Sequence, residues 1–175
     1  KRWDRFLKAI RQVNRLKTQP TQFSIAGDGP LRPMLEREAH SLGVADSVVF
    51  LGSVHDVPSL LRGASFLVHT SESEGCPNVV MEAMACGLPV VAMNAGDIPS
   101  LIENGTTGFI VGQDDEVGLA SRILELSNDA ALRREMGRAA RAKAEQNFGL
   151  DRLMLQTLDA YRSAGWADPE SLPIK

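Results

Sequence analysis

The chain has 175 residues, 43% hydrophobic and 23% charged, with a formal net charge of -3. That is enough for one domain with a substantial core, and the charge offers no global pull toward nucleic acid or anionic lipid. No apolar run approaches the roughly 20 residues of a membrane span, and Cys76 and Cys86 have neither the number of a disulfide framework nor the spacing of a zinc site.

The pattern opens in a helix. In "KRWDRFLKAIRQVNRLK" the apolar residues Trp3, Phe6, Leu7, Ile10, Val13 and Leu16 recur at helical spacing. A natural domain rarely starts in mid-element, so the chain reads as a piece of a longer one. "QFSIAG" follows as a short buried strand, stopped by the turn signal "GDGP". "LRPMLEREAHSLG" is a helix with Gly43 as its C-cap. Then come the strand "SVVFLG", the short helix "HDVPSLLRGA" and the strand "SFLVHT". A loop leads into the helix "NVVMEAMACG" and the strand "PVVA". "DIPSLIENG" is a short helix ending at Gly105, and "TGFIV" is another strand. Beyond Gly112 the pattern is helical, in three segments that end with "GLDRLMLQTLDAYRSAG"; residues 164–175 read as coil. Apolar strands alternating with helices indicate a parallel sheet with helices on both faces. Ligands of such sheets bind beyond the carboxyl ends of the strands. That directs attention to Gly27–Pro30, Gly52–Asp56, Thr70–Asn78 and Asn94–Pro99.

Two carboxylates stand eight positions apart, Glu74 in the loop and Glu82 in the helix that follows. Pro77 suits the first position of that helix, which leaves the amides of Asn78 and Val79 free to receive an anion. Glu82 shares their face one turn further in, while Val80, Ala83 and Met84 face the sheet. Amides for phosphate flanked by carboxylates for paired hydroxyls suit a sugar nucleotide. Spacing alone leaves another account open: a carboxylate that complements a helix dipole, and a solvated surface glutamate.

The segment "EGCPNVVMEAMACGLPVVA" closely resembles the signature of retaining glycosyltransferases of the GT-B fold, the glycosyl transferases group 1 family, with Glu74 and Glu82 as its E-x7-E motif. The resemblance continues through "FSIAGDGP", "VVFLGSVHDVPSLLRGASFLVHTSESEG" and "GDIPSLIENGTTGFIV". It implies a Rossmann-like α/β domain, the C-terminal half of a GT-B fold, with residues 1–163 as the nucleotide-sugar (donor) domain. By resemblance, Glu74 contacts the donor sugar near the reacting carbon as the catalytic candidate, and Glu82 grips the ribose hydroxyls. Gly75, Cys76, Asn78 and Val79 line the sugar and pyrophosphate, Val54 the nucleobase, and Gly27 the same cleft. Lys1 matches a phosphate-binding lysine ahead of the first helix. The activity so implied moves a hexose from a UDP-sugar or GDP-sugar to a hydroxyl acceptor, glycan or lipid-linked. It keeps the anomeric configuration and uses no metal and no cofactor. The alternative is a non-catalytic nucleotide-sugar-binding or regulatory subunit. A dinucleotide-dependent oxidoreductase fits poorly, because "GDGPLRP" is not a G-x-G-x-x-G.

Some positions depart from the family pattern. Pro77 stands where many members have glycine, and "GDIPS" replaces "GG-x-PE", with Asp97 and Ser100 in place of glycine and glutamate. His40, His55 and His69 have no motif partner; His69 reads as a packed side chain. The expected setting is cytoplasmic, extending to the inner face of the membrane, in keeping with reduced thiols. By resemblance an N-terminal domain packs on the last helix, leaving Leu153, Met154, Leu158 and Tyr161 partly bare. A further strand is expected upstream of Lys1, lying between "QFSIAG" and "SFLVHT".

Overall fold

The computed structural model of the protein describes residues 1–17 and 20–166; positions 167–175 of the coil expected at 164–175 lie outside the described residues. The order is α1 (Trp3–Leu16), β1 (Phe23–Ala26), α2 (Arg32–Ser41), a 3-10 turn (Ala45–Ser47), β2 (Val48–Gly52), α3 (Val57–Arg62) and β3 (Leu67–His69). It continues with α4 (Asn78–Ala85), β4 (Val90–Met93), α5 (Ile98–Leu101), β5 (Gly108–Val111), α6 (Glu116–Asn128), α7 (Ala130–Asn147) and α8 (Leu150–Ser163). Every ladder between strands is parallel. β1 pairs with β2, and β3, β4 and β5 pair in that order.

Alternation along β4 explains the layering. Val90 and Ala92 point to one face, Val91 and Met93 to the other, and all four are buried. On one side Val91, Met93 and Phe109 pack with Leu7 and Ile10 of α1 and Ile123 of α6. On the other, Val90 and Ala92 pack with Val80 and Met84 of α4, Ile98 of α5 and Ala140 of α7. Of the apolar stripe read from the sequence of α1, Phe6, Leu7, Ile10 and Val13 are buried, Trp3 is half-buried, and Leu16, in the last turn, is exposed. Helices therefore cover both faces.

Three local details differ from the sequence pattern. α5 stops at Leu101, not Gly105, because Asn104 leaves the helix to pair with the next strand. Its Oδ1 accepts the Ile110 amide at 2.9 Å, and Gly105 N–H donates to Gly108 O at 2.8 Å. Pro77 is the N-cap of α4, with an extended ψ of 104°, and Asn78 is the first helical residue. The turn at Ala45–Ser47 has no apolar periodicity of its own.

β1 and β3 are not hydrogen-bonded to each other; their facing edges border a groove of about 790 Å³. Phe23, Ser24, Phe66, Val68, His69 and Trp3 are among its lining. Lys1 lies at the carboxyl end of the groove, where the Thr70 hydroxyl donates to the Lys1 carbonyl at 2.9 Å. α8 buries none of the side chains described on it: Leu153, Met154 and Tyr161 are exposed and Leu158 is half-buried. No described helix is long and apolar enough to cross a membrane.

Gly137 of α7 lets that helix lie against the turn after α4. A Cβ there would stand 2.2 Å from the Gly87 carbonyl oxygen. Glycine-to-alanine in a helix interior normally stabilises by about 0.8–1 kcal/mol. Here overpacking against backbone, typically about 1–3 kcal/mol, exceeds it. Gly137→Ala should therefore lower the urea midpoint, and a raised midpoint would contradict this packing.

Candidate functional site

β3 ends at His69, and the chain crosses the carboxyl edge of the sheet as the loop Thr70–Pro77 before entering α4. Thr70 and Ser71 are buried, Glu74 is half-buried, and Gly75 and Cys76 are exposed. The loop is held from three directions. Thr70 ties it to the start of α1. Gln113, just beyond β5, donates its side-chain amide to the Glu72 and Asn94 carbonyls, each at 2.8 Å, linking the loops after β3, β4 and β5. The Asp97 amide donates to the Gly75 carbonyl at 3.1 Å. Gly96, at a φ of +51°, passes so close to this loop that a Cβ would lie 1.9 Å from the Glu74 carbonyl oxygen. The sequence signalled none of these braces: Gln113 belongs to no period or motif, and Gly96 opens the "GDIPS" segment without any sign there that it meets the Glu74 loop.

At the start of α4 the Val80 amide donates to the Pro77 carbonyl at 3.0 Å, while those of Asn78 and Val79 find no backbone acceptor among the described residues. Val80, Ala83 and Met84 are buried and Glu82 is exposed, the division the helical spacing implies. Glu82 makes no ion pair among the described residues, so both its oxygens are open to a ligand. Glu74 is held differently. The Lys1 ammonium donates to Glu74 Oε1, and His69 Nε2 lies 3.3 Å from that same oxygen. Burial pushes the Glu74 carboxyl up, but hydrogen bonds from Lys1 and Ser71 and the nearby positive charge outweigh it and hold the group below the usual carboxylate range. Burial pushes the His69 imidazole below its ordinary value, against the raising influence of Glu74.

Of the other positions singled out in the sequence, Gly27 closes β1 with its amide on the Gly52 carbonyl at 2.7 Å, at a φ of +124°. Val54 is half-buried in the loop between β2 and α3. Both lie at the carboxyl ends of the β1–β2 pair, across the groove from the Glu74 loop, and no described hydrogen bond joins them to it. The turn at Asp28 is closed locally, its Oδ1 accepting the Gly29 amide at 2.8 Å. Asp115 caps α6 by accepting from Gly118 at 2.7 Å. Both cysteines are free thiols. The sequence reads His69 as a packed residue. It is buried at 5% exposure, and it also reaches Glu74, which only the folding of the loop back over β3 creates.

Gly96→Ala tests the bracing of the loop. A left-handed φ costs a non-glycine residue roughly 1–2 kcal/mol, and the clash with Glu74 adds to it. The variant should unfold at lower urea and shift the amide resonances of Glu74 and Gly75. An unperturbed spectrum would mean that the two loops do not touch.

Residues 1–129 match the family described as glycosyl transferases group 1. Over 151 residues the chain is 33% identical to N-acetyl-alpha-D-glucosaminyl L-malate synthase of Bacillus anthracis, covering 86% of this chain and 38% of that protein. Over 142 residues it is 37% identical to D-inositol 3-phosphate glycosyltransferase of Streptomyces avermitilis, covering 79% and 30%. The chain thus spans about a third of the length of these curated relatives. Among solved structures, Anabaena HepE in complex with UDP-glucose superposes with a TM-score of 0.79 at 28% identity, covering 89% of this chain and 44% of that one. The C-terminal domain of a glycosyl transferase group 1 family protein (LpcC) from Francisella tularensis shares the fold, with a TM-score of 0.75 at 23% identity, covering 83% and 78%. With parallel strands flanked by helices in the arrangement of GT-B glycosyltransferases, and with a family match over residues 1–129, the chain belongs to the glycosyl transferases group 1 family.

Proposed function

We propose that the chain is the donor-binding part of a retaining glycosyltransferase. The whole enzyme moves a hexose from a nucleoside diphosphate to a hydroxyl acceptor, glycan or lipid-linked, on the cytoplasmic side. The observation that carries this is the placement of two free helix-start amides, at Asn78 and Val79, beside an ionised Glu74 and a lysine. The amides and Lys1 receive the diphosphate; Glu82, with both oxygens unengaged, takes the ribose hydroxyls. Glu74 faces the donor sugar, Gly75 and Cys76 flank it, and Gly27 and Val54 border the nucleobase on the opposite bank. The developing charge on the leaving diphosphate is met by fixed dipoles and an ammonium, so the departure needs no metal ion. The UDP and UDP-glucose held by HepE structures favour a uridine nucleotide.

Two parts complete this enzyme. A strand preceding Lys1 enters the groove between β1 and β3, giving both edges a ladder partner. A second domain rests on the exposed apolar residues of α8.

Glu82→Ala should weaken UDP binding about 10–100-fold by calorimetry, the worth of hydrogen bonds to a charged group at roughly 1.5–3 kcal/mol. Affinity within twofold of the unaltered chain would remove Glu82 from the site. A chain carrying the preceding strand should show slowed amide exchange along β1 and β3 and a higher urea midpoint. Exchange at those edges as fast as in the 175-residue chain would leave the groove to something else.

A further inference from the structure

Two basic groups meet at one carboxylate oxygen. Lys1 donates to Glu74 Oε1, and His69 Nε2 stands 3.3 Å from it. The imidazole is not aligned for a hydrogen bond there, and neither of its nitrogens has a hydrogen-bond partner among the described residues. Both nitrogens are shut away from solvent, where an unpaired polar group costs about 1–3 kcal/mol. His40 and His55, by contrast, are exposed.

We infer that His69 is a positioning residue for Glu74: once a donor diphosphate draws Lys1 away, His69 turns its Nε2–H onto Oε1 and holds the carboxylate in place. This rests on the donor-site assignment above. A lysine cannot stay centred on a carboxylate when a diphosphate, with more charge and more oxygens, lies within its reach. Glu74 then loses its ammonium in a half-buried setting. Besides the Ser71 hydroxyl, His69 is a donor already 3.3 Å from Oε1, and its χ2 torsion is broad, so a modest ring rotation brings the N–H onto that oxygen.

The exchange changes more than geometry. Paired with Lys1, the Glu74 charge is largely neutralised. Held by a neutral imidazole, it keeps its full charge, directed at the carbon where positive charge develops as the glycosidic bond to the diphosphate breaks. Burial keeps His69 neutral, so it fixes the carboxylate without quenching it. The other carboxylate oxygen stays free for a donor hydroxyl.

NMR titration of the His69 ring in this chain tests the contact without catalysis. Glu74→Gln should lower the His69 pKa by about 0.5 or more, since the carboxylate supports the protonated ring. UDP should raise it, as Lys1 leaves. In the whole enzyme, His69→Phe should reduce kcat about 10–100-fold, the scale of a misplaced catalytic group. Donor KM should stay within about threefold, and His69→Gln, which restores an N–H donor, should recover most of the loss. UDP binding with no movement of the His69 pKa overturns the inference while leaving the donor site standing. So does a pKa that Glu74→Gln leaves unchanged, or equal losses in the Phe and Gln variants with a matching fall in Tm. Failure of UDP to bind at all overturns the donor site, and this inference with it.

Discussion

A half-buried carboxylate needs charge or hydrogen bonds built in around it, and Glu74 shows what that requirement imposes on the rest of the molecule. Its side chain is 14% exposed, and here its ionised form is met by a cation close by. That cation is on Lys1, at the start of α1 and far away in sequence. Lys1 is placed by the Thr70 hydroxyl and by the anchoring of α1, whose Leu7 and Ile10 are wholly buried against α6 and the sheet. The charge state of one loop residue thus depends on the packing of a helix on the opposite face of the sheet. The other charges around α1 act differently. Arg2 with Asp4 and Glu72, and Lys8 with Glu116, are partly or largely exposed pairs of the kind that contribute roughly 0–1 kcal/mol. They mark where α1 meets the loops more than they hold it there. Arg5 is the exception. At 4% exposure its guanidinium has been taken out of water, and the carboxylates near it among the described residues are those of Asp114 and Glu72, at 3.5 and 3.9 Å.

The loop Thr70–Pro77 is braced by neighbours in the sheet rather than by its own sequence. Gln113 and Gly96 come from the loops after β5 and β4, so three consecutive carboxyl ends of the β3–β4–β5 sheet form one connected rim. That rim is also the N-terminal side of α4. A helix start binds an anion well only if the anion's other partners are fixed relative to it. Here the carboxylate, the amides and the lysine are all fixed to one edge.

What the sequence made legible follows a physical division. Elements with a strong period declared themselves: the stripe of α1, the apolar runs of β2 and β4, and the split of α4 into a buried Val80–Ala83–Met84 face and an outward Glu82. Contacts made by folding one loop onto another did not. Nothing in "VHTSESEG" tells that Glu74 returns to within reach of His69, since a loop has no fixed period to place side chains. Likewise α5 ends early because Asn104 finds a better use for its backbone and side chain in pairing with β5, a tertiary choice that local propensity cannot foresee. The sequence pattern puts Pro77 at the first helical position, one residue further into the helix than the N-cap it occupies. An extended ψ is ordinary for proline, so both positions suit its fixed φ.

The split of the strands into two sheets bears directly on the site. The first core joins both sheets: it holds Phe23 and Ile25 of β1 together with Val91 and Phe109 of the other sheet, and Phe6 meets Phe23 edge-on at 5.7 Å. The second core contains no residue of β1 or β2. Among the described residues the two halves are therefore fastened to each other through one core, and no strand-to-strand ladder joins them. Gly27 and Val54 ride on one half; Glu74, Asn78 and Glu82 ride on the other. A ligand that spans them, base on one bank and phosphate on the other, meets a separation set by α1 and by whatever lies in the groove between β1 and β3. A strand there would fix that separation by hydrogen bonds, whose strand spacing of about 4.8 Å leaves little play. Side-chain packing alone tolerates larger adjustments. The groove and the proposed donor site are then one mechanical problem: filling the first sets the width of the second.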